Sequence, residues 1–381
     1  MKLVELGTIL HMDKGKKPQK QQEKYKEGYL PYVDIQAFEE GIIKSYADPQ
    51  KCLLCEDGDL LIVCDGSRSG LTGRAIKGVV GSTLSKISAD GLCTEYLQYF
   101  IQSKYTLLNT RKKGTGTPHL NAELLKKSKL VIPTQTEQER IVSKIEELFS
   151  KLDASVAELK TAKEKLKVYR QAVLKEAFDA VSESPRAKIQ HICEYIIDCP
   201  HSTPKWTNAG KICLRTTNFK RGYLDLREKN YVSEETFNAR NSRLIPASGD
   251  VLYSREGAIL GIACIIPAGL SVCLGQRMML LRTNEENFNR FLMHYLNSPA
   301  VTNYVASITG GSASPHVNVR DIKNFLIPVP KLDVQKRTVL KIEERISICD
   351  DSERSIDTAI QQAEALRQSI LKQAFEGRLI E

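Results

Sequence analysis

Two stretches of this chain carry cations, hydroxyls and small residues at spacings that suit a phosphate backbone. In the first, Gly66-Ser67-Arg68-Ser69-Gly70 leads into Thr72-Gly73-Arg74-Ala75-Ile76-Lys77, and Arg111-Lys112-Lys113-Gly114-Thr115 is the densest basic loop. The second holds Arg215-Thr216-Thr217-Asn218, Lys220-Arg221, Tyr253-Ser254-Arg255 and Gln276-Arg277. Phosphate oxygens are met by Lys, Arg, Ser, Thr and backbone amides. Base edges are read chiefly by Arg or Lys on guanine and by Asn or Gln on adenine. The candidate contacts with double-stranded DNA are therefore Arg68, Arg74, Lys77, Arg111, Lys112, Lys113 and Thr115 in the first stretch. In the second they are Arg215, Thr216, Asn218, Lys220, Arg221, Arg255, Gln276 and Arg277. Taken singly, each also reads as a solvated loop residue or a satisfied buried side chain. Thr117-Pro118-His119 and Ser314-Pro315-His316 recur as a pair and read as a structural turn before they read as base contacts.

Chemistry beyond binding finds no motif. An adenine methyltransferase needs an Asn/Asp-Pro-Pro-Tyr/Phe tetrapeptide, and Asp198-Cys199-Pro200-His201 lacks both the second Pro and the aromatic. No G-x-x-x-x-G-K-S/T loop is present, so ATP-driven translocation is not encoded. Glu194 and Asp198 near Lys205 are too generic for a nuclease core. Cys52-Leu-Leu-Cys55 has half the spacing of a zinc site, but no second pair follows, and strand residues are the plainer reading. No catalytic, cofactor-binding or metal-ligating set is assigned.

The charge lies where binding modules would need it. The chain has 381 residues, enough for at least two domains, and a net charge of +9. Residues 1–135 hold 20 basic and 15 acidic side chains, and residues 183–332 hold 18 and 12. Residues 136–182 hold 9 of each, and residues 333–381 hold 8 and 10. All of the positive excess therefore sits outside the stretches that read as long helices, as expected for two polyanion-binding modules on a neutral scaffold. No apolar run is long enough to span a membrane. The start lacks a signal-peptide core, and the ten cysteines fall mostly in apolar runs; both point to the cytoplasm.

The element that must position these modules is Thr136 to Ala180, 45 residues without Pro or Gly. Ile141, Ile145, Leu148, Leu152, Ser155, Leu159, Ala162, Leu166, Tyr169 and Val173 recur every 3.5 residues, a coiled-coil seam. Thr136 and Glu139 form a capping box. Such a helix is roughly 65–70 Å long and needs a partner. Asp333 to Glu376 supplies one, with a weaker seam through Thr338, Ile342, Arg345, Cys349, Ser352, Ile356, Ala359, Ala363, Leu366 and Ile370.

The whole order repeats. Gly58-Asp59 matches Gly249-Asp250 at an offset of 191. Tyr96-Leu97-Gln98-Tyr99 matches Phe291-Leu292-Met293-His294, and from the Pro-His loop to the helix end every match has an offset of 197. The fold class is α+β: two β-rich domains, each followed by a long helix, the helices forming an antiparallel coiled coil with a pseudo-two-fold relation. The boundaries fall at 1–135, 136–182, 183–332 and 333–381. Short strands are expected at Leu30–Ile35, Asp59–Asp65, Ala75–Val80 and Leu130–Pro133, a helix at Thr94–Tyr105, and an exposed loop at Met12–Lys26.

Ile132-Pro133, Glu137-Gln138-Glu139-Arg140-Ile141-Val142, Lys144-Ile145-Glu146-Glu147-Leu148-Phe149, Ala172-Val173-Leu174-Lys175 and Gln373-Ala374-Phe375-Glu376-Gly377-Arg378-Leu379 resemble the specificity subunit of Type I restriction-modification enzymes. The resemblance spans nearly the whole chain. It implies two target-recognition domains joined by spacer helices, reading a bipartite asymmetric DNA site with a fixed unread spacer. It implies as partners two methyltransferase (modification) subunits and, through them, restriction and translocase subunits. S-adenosylmethionine, ATP and Mg then belong to those partners and not to this chain. Many relatives carry a longer N-terminal segment, so closure of the pseudo-symmetric arrangement is expected to be less complete here. Two readings stand beside it: a recognition subunit of a related methyltransferase-nuclease system, and a coiled-coil scaffold without DNA, which leaves the two positive modules unexplained. Self-association of the isolated chain is left open.

Overall fold

A computed structural model describes residues 3–113, 118–310 and 315–379. The chain divides into two compact units, Met1–Leu159 with Asp357–Glu381, and Lys160–Ile356. The sequence placed boundaries at both ends of the first long helix and at the start of the second; the compact units divide each long helix midway. The reason is packing: each globular module holds the start of the helix that follows it and the end of the other one.

In the first unit a short pair joins Leu3–Glu5 to Lys129–Val131. A four-stranded antiparallel sheet runs Leu10–Lys14, Leu84–Ala89, Leu60–Val63, Thr72–Arg74. A second sheet contains the parallel pair Leu30–Val33 and Gly78–Val80, in register Tyr32↔Val79 and Val33↔Val80. The second unit repeats this plan. Arg186–Lys188 pairs with Leu326–Pro328, and a sheet runs Cys193–Asp198, Met278–Thr283, Val251–Ser254, Ala263–Ile265. Its second sheet again holds a parallel pair, Lys211–Leu214 with Val272–Leu274. The inner strands Leu60–Val63 and Val251–Ser254 are wholly buried, as their continuous apolar runs require. The expected loop at Met12–Lys26 contains the end of one strand and the short strand Gln21–Gln22. Strand pairing there overrides polar composition.

The helices run Gln135–Asp179 and Leu332–Phe375. The first starts one residue before the expected Thr136, because the capping box is Thr134 with Glu137. The Thr134 hydroxyl accepts from the Glu137 N–H at 3.4 Å, and the Glu137 carboxylate accepts from the Thr134 N–H at 2.8 Å. Two Thr-x-x-Glu frames overlap here, and the earlier follows directly on Pro133.

Each helix start is locked by a buried glutamine. Gln138 accepts from the Cys93 N–H at 2.8 Å and donates to Gly91 O and Pro133 O; Gln335 accepts from the Phe288 N–H at 2.8 Å and donates to Pro330 O. Each helix end is held by a caged phenylalanine. Phe375 meets Tyr96 and Phe100 edge-on at 5.1 and 5.3 Å, and Phe178 meets Phe291 and Tyr295 at 5.2 and 5.0 Å.

Within each unit the helix segments are antiparallel. In the first, Ile145 and Phe149 pack with Ile370, Leu371 and Ala374. Arg367 lies 4.2 Å over the Phe149 ring and pairs with Asp153. In the second, Lys163, Arg170 and Glu176 meet Glu353, Asp350 and Arg345 in that order, at 3.4, 2.6 and 2.7 Å. The expected apolar seam is thus only partial. Ser155, Tyr169 and Leu366 are exposed. At Arg345 the guanidinium covers the Tyr169 ring at 5.3 Å, so charge does work that apolar contact was expected to do.

Candidate nucleic-acid interface

The first module gathers three loops at one end of the strand Leu60–Val63. The chain leaves that strand, turns through 64–70 and returns as Thr72–Arg74. Gly66 has φ +105°, a backbone conformation that a side chain resists. Its N–H donates to Pro118 O at 2.7 Å, and the Leu120 N–H donates to Cys64 O at 2.7 Å, so the Pro-His segment is stitched to this turn. The basic loop joins it. Lys113 and His119 exchange backbone hydrogen bonds at 2.9 and 2.8 Å. The Lys112 ammonium donates to Ser67 O at 2.7 Å, and the Asn109 amide donates to Ser67 O and Ser69 O. Arg111 is exposed beside them.

An ion-pair centre lies under these loops. Asp65 pairs with Lys14 at 2.9 Å and with the His119 imidazole at 2.7 Å. Burial pushes its carboxyl upward, but the hydrogen bonds from Lys14 and His119 and the charge of Lys14 outweigh that and hold it below the usual range. The His119 side chain stays 54% exposed.

The second module repeats the backbone and changes the chemistry. Gly257, φ +86°, donates to Pro315 O at 3.0 Å, and the Val317 N–H donates to Arg255 O at 2.8 Å. Gly261 donates to Ser254 O at 2.9 Å, as Gly70 donates to Val63 O at 2.8 Å. Glu256 stands where Asp65 does, and a second carboxylate, Asp198, comes from the strand Cys193–Asp198, which Met278–Thr283 separates from Val251–Ser254. Arg255 forks onto Asp198 at 2.8 and 3.2 Å, and His201 meets it at 3.1 Å. Arg277 is exposed at φ +67°, close enough to Gly257 that a Cβ there would sit 3.2 Å from its Nη1. Gln276 donates to His201 O and accepts from Thr203.

The structure thus brings Arg111, Lys112 and Lys113 to the glycine turn that carries Arg68, and brings Arg255, Gln276 and Arg277 together. Several expected contacts are internally occupied. Arg255 is 5% exposed, its guanidinium taken by Asp198 and Glu256. Asn218 is 5% exposed; it accepts from the Arg215 N–H and donates to Asp225 O and Glu228 O, which ties a 3-10 turn and leaves its amide no free edge for a base. Arg74 donates to Glu95 and Gly58 O at the far end of its hairpin, where it pairs with Leu60. Lys77, beside it, meets Glu56 at 3.0 Å, whose hydrogen bond and charge raise its pKa. Arg68 pairs with Glu39. Arg215 is exposed over the Trp206 ring at 5.6 Å, and Thr216 is half-buried beside it. Lys220 and Arg221 sit on the small hairpin 219–224, Arg221 reaching Asn297 at 3.4 and 3.5 Å. Thr115, with Thr117 and Ser314, lies outside the described residues. The Cys52 and Cys55 thiols donate to backbone carbonyls, Asp48 O and Ile76 O among them.

Sequence reasoning passed over Lys14 and Asp65, and weighed Asp198 and His201 only as parts of enzyme motifs. The signal was present: the offset of 191 seen at Gly58 and Gly249 also carries Gly66 onto Gly257 and Gly70 onto Gly261, marking one turn in both modules.

Residues 1–165 and 189–362 match the family model described as Type I restriction modification DNA specificity domain. The chain is similar to the Type I restriction enzyme MjaVIII specificity subunit of Methanocaldococcus jannaschii, 23% identical over 99% of this chain and 92% of that protein. It is 22% identical to the Escherichia coli EcoBI specificity subunit, over 84% of this chain and 73% of the relative. Among solved structures, a chain of a type I R-M system, studied for complex assembly and conformational transition, superposes with a TM-score of 0.72 at 20% identity, over 99% of this chain and 98% of that one. The HsdS subunit from Thermoanaerobacter tengcongensis gives 0.52 at 20% identity, over 99% and 97%.

Proposed function

We proceed from the fact that the chain belongs to the Type I restriction modification DNA specificity family, and we propose that its two modules read the two unequal halves of one double-stranded DNA site. The observation that carries this is the repeated frame with unlike side chains: Gly66 and Gly257 make the same turn, yet one module pairs Lys14 with Asp65 and the other pairs Arg255 with Asp198. A duplicated frame gives two reading heads; different charged groups on it give them different preferences. Residues 1–135 and 183–332 are the two target-recognition domains, and the helices between them set an unread spacer.

The charged outer faces of those helices are docking surfaces for two methyltransferase subunits, and restriction subunits join through them. A target adenine must leave the duplex to be methylated, and that pocket belongs to the partner. S-adenosylmethionine, ATP and Mg serve the partner subunits. The assembly works in the cytoplasm. Among the described residues no helix is long and apolar enough to cross a membrane.

The test is co-expression with a candidate methyltransferase subunit, co-purification, and mapping of methylated adenines across genomic DNA. The expected result is one asymmetric motif in two parts with a constant gap. A single uninterrupted motif, or methylation unchanged when this chain is omitted, would overturn the reading.

A further inference from the structure

Each module contains a carboxylate that meets both a cation and an exposed imidazole, and the two sets are built from different positions. In the first, Lys14 and His119 flank Asp65 at 2.9 and 2.7 Å. In the second, Arg255 and His201 flank Asp198, with Arg255 at 2.8 Å and His201 at 3.1 Å. The frames are superimposable by hydrogen bonding. Gly15 and Cys199 each follow the first strand of their sheet and donate to the facing strand, at Leu84 O and Met278 O. By that correspondence Lys14 is the counterpart of Asp198, and His201 is the counterpart of Lys17. His119, in turn, is the counterpart of His316 through the Pro-His repeat. The same three-part arrangement has therefore been assembled twice, with the imidazole on the Pro-His loop in one module and on the loop between the sheets in the other.

We propose that His119 and His201 are base-reading side chains, each aimed by its carboxylate at a different position of its half-site. The inference rests on the DNA reading above and deepens it. Lys14 offsets the Asp65 charge and Arg255 is shared between Asp198 and Glu256, while each Asp serves its imidazole as a hydrogen-bond acceptor that fixes the ring. An N–H donated inward by a neutral imidazole, from Nδ1 of His119 or Nε2 of His201, leaves the outer nitrogen as an acceptor. An outward acceptor has no use for a phosphate oxygen, which only accepts. It matches the exocyclic amines of the major groove, adenine N6 or cytosine N4. Both rings are free to meet them, at 54% and 72% side-chain exposure. Both stand beside the glycine turns and basic residues that would hold the backbone.

The test uses the full chain assembled with its co-expressed methyltransferase subunit, and duplexes of the methylation-mapped site in which each base pair is replaced in turn. His119→Ala should lose about 5- to 100-fold of discrimination at one or two base pairs of one half-site, and His201→Ala likewise in the other. His119→Gln, which keeps an outward acceptor, should lose less, and it carries the comparison if the Ala variant unfolds. Uniform weakening with a salt slope lower by about one would make the histidines phosphate contacts and overturn base reading. Unchanged discrimination would overturn it too. Absence of site-specific binding by the wild-type assembly would remove the DNA reading itself, and is visible before any variant is made.

Discussion

Gln138 and Gln335, 197 residues apart in the chain, make the same buried hydrogen bonds at the start of the two long helices. Both are 1% exposed; each accepts a backbone N–H from its module and donates to the proline carbonyl that precedes its helix, Pro133 O or Pro330 O. Truncation would leave a buried donor and a buried acceptor without partners. Gln138→Ala and Gln335→Ala should each cost about 1–3 kcal/mol, read as a lower urea midpoint. An unchanged midpoint would mean that the glutamines follow the junction rather than hold it.

Phe178 gives a second stability test. Its ring is 5% exposed and sits edge-on to Phe291 and Tyr295. Phe178→Ala should destabilise the second unit by about 3–5 kcal/mol through a cavity that the helix end cannot refill. Phe178→Leu should recover much of that loss. Equal melting of the two variants would show that ring volume does not matter there.

Asp65 sets an acid response. Its folded pKa is depressed, so the carboxylate contributes stability that is fully present above the unfolded value of about 4 and is lost as pH falls through the lower folded value. Asp65→Asn should be less stable than wild type at pH 7, and the gap should close below about pH 4. A gap that is constant down to pH 2 would assign the difference to packing and not to the charge.

Why the sequence yielded some of this and not the rest is physical. The duplication was legible because the helix junctions are fixed by packing: Gln138, Phe178 and their counterparts at 335 and 375 cannot change type without loss. The α+β class and the antiparallel pairing within each unit followed from the same residues. The individual site residues were less legible. Arg255 and Asn218 carry groups that suit DNA, yet burial gives those groups internal partners, and composition cannot distinguish a tied guanidinium from a free one. The mixed seam was missed because Tyr169 fits a heptad by spacing while its ring serves Arg345.

The spacer reading makes a geometric prediction. Seven residues inserted after Leu159 and seven after Ile356 keep the 3.5-residue repeat and the antiparallel pairing of both segments. They add about 10.5 Å of helix, the rise of about three base pairs. Mapped methylation should then show a gap longer by about three base pairs between unchanged half-site sequences. Changed half-sites with an unchanged gap would mean that the helices do not set the spacing.

Cations that are free in the structure should matter to DNA more than cations that are tied. Arg111 is exposed and makes no ion pair among the described residues, whereas Lys112 donates to Ser67 O and Arg74 is held by Glu95 and Gly58 O. Each phosphate contact removed lowers the slope of log K against log salt by about 0.9. Replacing Arg111, Lys112 and Lys113 together by Ala should therefore reduce that slope by up to about 2.7 and weaken binding to all sequences alike. Arg111→Ala alone should account for more of the change than Lys112→Ala, because Lys112 must give up its carbonyl partner to reach a phosphate. Arg74→Ala should leave the slope unchanged and lower stability instead. Fluorescence anisotropy between 50 and 200 mM salt, roughly the range over which such contacts dominate affinity, separates these outcomes. An Arg74→Ala slope as reduced as the triple variant's would move the interface to the opposite end of the hairpin.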